Sequence, residues 1–486
     1  MGKRRVIRLL IYCLILLGLL TGCFRGQDDH GLNPKKPVSL EIWHYYNGPL
    51  KMIFDNLIMK FNETVGLEKG IIIDAFSQGN VDDLERKVLK AVINMADSEQ
   101  TPDMFAAYPD TAYLVDQLGH LVDLEDYLSP DEIEQYIASY IEEGRLNVNG
   151  GLKIFPIAKA TEVMMVNKTD WDKFAEVNDV KLEDLETWEG LAKTAEKYYQ
   201  WTDSLTPTPN DGKAFFGRDA MTNYIIVGSK QLGKEIFSVE DGQVSLNIDP
   251  TIMRRLWDSF YIPYVNGYYN AVGKFRSEDV KIGEIIALVC STSGIGYFPD
   301  RVITDHNQYD IESVTLPLPN FEDTAPYAVQ QGAGMAVLKS SKTQEYACVE
   351  FLKWFTGKER NIEFAIKSGY MPVKKESNQI QVIEEYAANS SDEIITNRLQ
   401  NSLPSIAKQL QSYELYTSKP FDKGTEVRNV IGSNLIDKAK IDRAEVISLI
   451  NQGYSRQEAV GRFTTDENFN RWLREFTRAL EDILYE

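Results

Sequence analysis

The side chains best placed for chemistry fall in three short clusters: Tyr45-Tyr46-Asn47, Gln78-Gly79-Asn80 with Asp82 just beyond, and Tyr108-Pro109-Asp110. Each follows a run read as a β-strand. All three would therefore stand at strand carboxyl ends, where open α/β sheets hold their ligands. Their chemistry is non-covalent recognition: a phenol ring offers a broad apolar face and a hydroxyl, while amides and carboxylates supply fixed acceptors. Each cluster also has a plainer reading. Tyr45 or Tyr46 could pack against a neighbouring helix, and Asp82 serves equally as a first-turn acid favoured by a helix dipole.

Catalytic constellations are weaker. The four histidines, His30, His44, His120 and His306, are scattered and form no metal or general-base cluster, and no G-x-S-x-G elbow occurs. Gly228-Ser229-Lys230-Gln231-Leu232-Gly233-Lys234-Glu235 imitates a phosphate-binding loop, but Glu235 stands where a Ser or Thr must hold Mg²⁺. Gly332-x-Gly334 lacks the third glycine of a dinucleotide fingerprint. Neither a metal nor a cofactor is expected.

The elements that must position the three clusters alternate strand and helix. Val38–Tyr46 is a β-rich run, and Leu50, Phe54, Leu57, Ile58 and Phe61 then recur at helical spacing. Ile71–Phe76 and Asp103–Tyr108 are two more strands, with a helix carrying Leu84, Val88, Ala91, Val92 and Met95 between them. Such alternation predicts a parallel, doubly wound sheet. Phe155–Lys168 joins a proline, a short polar patch and an apolar strand, as a crossing between lobes would. Trp201–Gly217 reads as a surface loop, Ile285–Cys290 as a strand leading to Ser291-Thr292-Ser293-Gly294, and Ser313–Pro319 as an edge strand. Gln330–Lys374 combines a glycine-spaced apolar strand, a helix capped by Ser341, a second helix stopped by Gly369, and a Gly-Tyr-Met-Pro turn.

The chain of 486 residues, 43% of them hydrophobic, is long enough for two or three lobes. Its formal charge of −20 argues against nucleic acid as a partner. Lys3, Arg4, Arg5 and Arg8 precede an apolar stretch, Leu9–Leu20, of signal-peptide length. The stretch ends in Leu20-Thr21-Gly22-Cys23, which resembles the bacterial lipobox, whose cysteine takes lipid on its thiol. Phe24–Lys36 reads as a flexible tether. Cys290 and Cys348 could bond outside the cell or remain two buried thiols.

The lipobox, the segment PIAKATEVMMVNK, the Thr187-Trp188-Glu189 helix start, GAGMAVLKSS, KSGYMPVKK and INQGYSRQEAV together resemble, in order, the extracellular solute-binding proteins of the maltose-binding type, receptors of bacterial ABC importers. The resemblance covers Val38 to Glu486. It implies an α/β, two-lobed periplasmic-binding-protein-like fold of class II, each lobe a mainly parallel sheet flanked by helices, with a hinge between them. The expected division is residues 1–22 as lipoprotein signal peptide and 23–37 as tether. Lobe one is 38–158 plus 330–372, and lobe two is 161–325 plus 375–486.

The family's ligand contacts, carried over position by position, imply Tyr45, Tyr46, Asn47, Gln78, Asp82, Tyr108 and Asp110 on lobe one. They also imply Lys159 and Thr161 at the crossing, Ser291 and Ser293 on lobe two, backbone groups of Gly332 and Gly334, and Tyr370. Tyrosine faces suit sugar rings, whose hydroxyls need fixed partners. Arg428 falls where some relatives place a cation for an anionic solute, though a salt-bridge arginine is the better reading. The resemblance thus implies a non-enzymatic, monomeric receptor, lipid-anchored at Cys23 on the outer face of the cytoplasmic membrane. It would hand a carbohydrate or polyol to ABC permease subunits. A secreted glycoside-processing enzyme, needing only two carboxylates, and a solute sensor for a membrane kinase are the alternatives.

Overall fold

The computed structural model describes residues 30–93, 101–146, 150–240, 243–305, 307–388 and 393–485. The basic segment, the apolar stretch, Cys23, most of the tether, Met95 and His306 lie outside the described residues.

Two four-stranded sheets organise the chain. In the first, β1 (Val38–His44) lies between β2 (Ile71–Ser77) and β3 (Met104–Ala107) and runs parallel to both. The second contains β4 (Glu162–Asn167), β5 (Phe216–Arg218), β6 (Ala287–Ser291) and β7 (Ser313–Pro317), in the spatial order β7-β4-β6-β5. The chain then returns to the first sheet as β8 (Gly334–Val337), antiparallel to β3.

The expectation of mainly parallel sheets needs correction in lobe two. There β4 pairs antiparallel with both β6 and β7, and only β5 pairs parallel with β6. The cause lies in chain path. β4 and β8 are the strands that arrive directly from the other lobe, so each starts at the cleft rather than ending there. In each sheet the other three strands share one direction. β8 sits at an edge and disturbs one pairing, whereas β4 sits inside and disturbs two.

Strand β4 also explains its own composition. Met164 and Val166 enter a core with Trp188, Tyr224 and Trp257, while Val163 and Met165 enter a second core with Cys290, Ile362 and Ile366. Alternating side chains both meet apolar layers, so the strand reads as a continuous apolar run. In lobe one, Phe54 and Phe61 of the helix Gly48–Phe61 meet Phe351 and Phe355 of the helix Lys342–Phe355 over the first sheet. The latter helix begins as its sequence suggests: Ser341 Oγ accepts the Gln344 N–H at 3.2 Å. It ends at Phe355, with Thr356 as its C-cap and Gly357 next. The helix Lys358–Ser368 stops at Gly369, whose φ is +73°.

Trp201–Gly217 is not all loop. Residues 201–204 end a helix, and Phe216-Gly217-Arg218 forms β5. Three residues are too few for strand periodicity to show in sequence.

The chain passes between the two sheets at residues 159–160 and 330–332, and residues 369–372 run beside these crossings before 373–375 bond back to residues 135–137 of lobe one. Ala160 pairs with Gln331 through bonds of 2.7 and 3.0 Å, and Lys159 pairs with Met371 through bonds of 3.1 and 2.6 Å. The first crossing therefore lies hydrogen-bonded between the second crossing and the segment 369–372.

Candidate functional site

Beside this hinge, at the cleft end of the second sheet, lies a cavity of about 950 Å³. Glu162, Asp219, Ser291, Ser293 and Gln331 line it, and Phe275 and Tyr297, both more than half exposed, stand at its rim. Chain topology places the polar group. Glu162 opens β4, Asp219 follows β5, Ser291 closes β6, and Gln331 lies on the second crossing.

Glu162 is 2% exposed, so its charge must be met. The Arg218 guanidinium donates to it, and Asn223 Nδ2 donates to Glu162 Oε1 at 3.0 Å and to Gln331 Oε1 at 3.2 Å. Arg218 is itself fixed over the rings of Trp188 and Tyr224, each 5.5 Å from its guanidinium carbon. Asp219 accepts the Arg276 backbone N–H at 2.8 Å. Burial raises its pKa above the ordinary carboxylate value, against the opposing pull of that hydrogen bond. Ser291 Oγ and Ser293 Oγ are 2.9 Å apart, in the turn that follows β6. The result is a set of rigid donors and acceptors beside exposed aromatic faces. It suits the binding of a hydroxyl-rich molecule. Among the described residues no group of His, Cys, Asp or Glu could hold a metal ion.

Across the hinge three of the expected tyrosines come together. Tyr45 stacks on Tyr108 with ring centroids 6.1 Å apart, and its hydroxyl lies 3.5 Å from that of Tyr370. Gly369, next to Tyr370, lies against lobe two, where a Cβ on it would come within 2.5 Å of Thr292 O. Burial raises the pKa of all three phenols, so they act as neutral hydrogen-bonding groups.

The other candidates are placed differently. Tyr46 is 2% exposed and packs against His44, Phe54 and Phe364, inside lobe one. Asn47 ties two loops together, donating to Tyr45 O at 2.8 Å and Gly79 O at 2.9 Å. Gln78 accepts from Lys87 through both its carbonyls at 3.0 Å. Asp82 is exposed on the first turn of the helix Val81–Ile93, where Asp83 rather than Asp82 exchanges hydrogen bonds with Asn80. Asp110 is paired with Arg428 across the lobes.

Lys159 and Thr161 are buried at 2% and 0% exposure. Lys159 is engaged by Glu143 and Gly332 O, and Thr161 Oγ1 accepts from Gln409 at 3.2 Å. Gly332 has φ +102°, which excludes most side chains. Gly334 lies inside β8, where a Cβ would come within 2.5 Å of Phe155 O. That glycine serves strand packing and not the cleft.

Sequence reasoning passed over Glu162, Arg218, Asp219, Asn223 and Gln331 as site residues. One signal was present. Glu162 opens an otherwise apolar strand just past a crossing, and a buried carboxylate requires a partner. Its partner Arg218 lies 56 residues away on a strand too short to recognise.

Comparisons with known proteins agree with this architecture. A family described as bacterial extracellular solute-binding protein matches residues 56–390. None of the curated proteins matches the sequence. Among solved structures, the cyclic alpha-maltosyl-1,6-maltose binding protein of Arthrobacter globiformis is similar over 92% of this chain and 99% of its own, with 16% identity and a TM-score of 0.64. UgpB of Mycobacterium tuberculosis, in complex with glycerophosphocholine, covers 91% and 98% at 16% identity and a TM-score of 0.64. An ABC substrate-binding protein of Listeria monocytogenes, in complex with cycloalternan, covers 91% and 100% at 13% identity and a TM-score of 0.63. At these identities the likeness concerns the fold, and it bears out the two-lobed α/β class. With more than two thirds of its length matched by the family, this chain belongs to the bacterial extracellular solute-binding proteins.

Proposed function

We propose that the protein captures a carbohydrate or related polyol in the cavity at the interlobe cleft and delivers it to the permease of an ABC importer. Residues 38–158 with 330–372 and 161–325 with 375–486 act as the two lobes closing about the hinge. Lipid on Cys23 holds the receptor at the outer face of the cytoplasmic membrane, a reading that rests on Leu20-Thr21-Gly22-Cys23 after a basic, then apolar, leader. The observation that carries the solute reading is the cavity itself. Its fixed acceptors Glu162 and Asp219, hydroxyls of Ser291 and Ser293, and rim aromatics Phe275 and Tyr297 match the mixed polar and apolar faces of a sugar.

A thermal-shift screen across oligosaccharides, polyols and glycerophosphodiesters tests it, because a solute that binds only the folded form raises the melting temperature by mass action. A shift with another solute class and none with any carbohydrate or polyol would exclude the proposal. Labelling with a radioactive fatty acid, lost in Cys23→Ser, tests the anchor separately.

A further inference from the structure

We propose that Asp110 and Arg428 form an interlobe latch that holds the cleft closed and sets solute affinity without touching solute. The inference rests on the reading that the lobes close around a solute.

Asp110 lies in the first turn of the helix Pro109–Gln117 in lobe one, and Arg428 lies near the start of the helix Gly424–Asn451 in lobe two. Arg428 Nε is 2.8 Å from Asp110 Oδ2, with side chains 27% and 13% exposed. The pair is therefore screened less than a surface ion pair. Arg428 is held from its own lobe, donating to Ser418 Oγ at 2.5 Å, so the cation is oriented independently of closure.

Gly424 brings the helix end close. A Cβ on it would lie 2.8 Å from Asp110 Oδ1. The carboxylate thus sits at the amino ends of two helices, one from each lobe, and both dipoles favour its charge. A neighbouring contact runs the same way. Thr425 Oγ1 lies 3.4 Å from Glu85 Oε1, while Glu85 Oε2 accepts from Thr111 of lobe one at 3.0 Å.

All of these interlobe contacts are lost when the lobes part. They therefore weight the closed form before any solute arrives. An affinity that depends on the closed fraction must change by one common factor for every solute when the latch is weakened. Loss of a direct solute contact would instead change different solutes unequally.

Spin labels on introduced cysteines at Met59 and Ile441, exposed positions on the two lobes, report closure in detergent-extracted full-length protein. The native Cys290 and Cys348 are buried and escape labelling. Without solute, Asp110→Asn and Arg428→Gln should each lower the closed-to-open ratio about fivefold, the scale of one partly exposed ion pair. The double variant should be no more open than either single one. Gly424→Ala should open the cleft while leaving the melting temperature unchanged or raised, since alanine favours the helix. Unchanged distances in both single variants, or opening that adds in the double variant, would overturn the latch. If the latch variants open the cleft but no carbohydrate or polyol binds, the solute reading fails and the latch stands.

Discussion

Lys159 Nζ lies 2.8 Å from Glu143 Oε1, and the two side chains are only 2% and 5% exposed. The same ammonium donates to Gly332 O at 2.9 Å, and Gln330 donates to the other Glu143 oxygen and to Ser139 O. One buried ion pair thus clamps two hinge crossings to the helix Ala138–Gly144 of lobe one. Removing one partner strands a charge. Lys159→Met should cost about 3–5 kcal/mol of unfolding free energy in urea, with part of the loss recovered when Glu143→Gln is added. A single-variant cost below about 1 kcal/mol would show that the lysine is not a strut.

His44 should make lobe one acid-sensitive. It is 0% exposed, and its Nδ1 accepts the Tyr46 N–H at 3.1 Å. Burial, helped by Lys51 and opposed by Asp55, lowers its pKa from 6.5 to about 4. The unfolded chain therefore takes up a proton first. The stability held by neutral His44 is full above pH 6.5 and is lost as pH falls toward about 4, by up to about 3 kcal/mol. Urea midpoints at pH 7.5 and 4.5 check this. His44→Leu should cost stability at pH 7.5 yet show a smaller drop between the two values, and an equal drop would refute the assignment.

Cys290 and Cys348 are free, buried, and in separate cores, so the disulfide left open by sequence is not formed. Burial raises both thiol pKa values well above the ordinary range. A thiol reagent at pH 8 should leave the native protein unreacted for hours and titrate both groups in denaturant. Fast reaction of either in the native state would contradict this placement.

Tyr370 and Phe351 should separate binding from stability. Tyr370 meets Tyr45 beside the hinge, whereas Phe351 is 1% exposed and packed against Phe61 and Phe355. Tyr370→Ala should weaken solute binding about tenfold or more with little loss of fold. Phe351→Ala should cost about 3–5 kcal/mol and leave the affinity of the folded protein unchanged. Calorimetric titration and urea unfolding of both variants would expose the reverse pattern.

Local pattern made much of lobe one legible. The periodicity of β1 to β3, the capped helix after Ser341 and the stop at Gly369 all lie in short windows of sequence. The tyrosines at strand ends were legible for the same reason, though Tyr46 faces inward while Tyr45 meets Tyr370. What stayed hidden was long-range pairing. Glu162 and Arg218, Lys159 and Glu143, and Asp110 and Arg428 are brought together by topology, and a charged residue does not announce its partner. The reversed direction of β4 was hidden too, because direction follows from where a crossing delivers the chain.

The central claim is that the cavity at Glu162 and Asp219 holds the solute, and one titration series tests it most directly. The best solute from the thermal screen is titrated calorimetrically into the wild-type protein, Asp219→Ala and Phe275→Ala. The account expects saturable 1:1 binding to wild type and a loss of at least about tenfold in each variant, with all three proteins folded. Undiminished affinity in both variants would place the solute elsewhere and contradict the account.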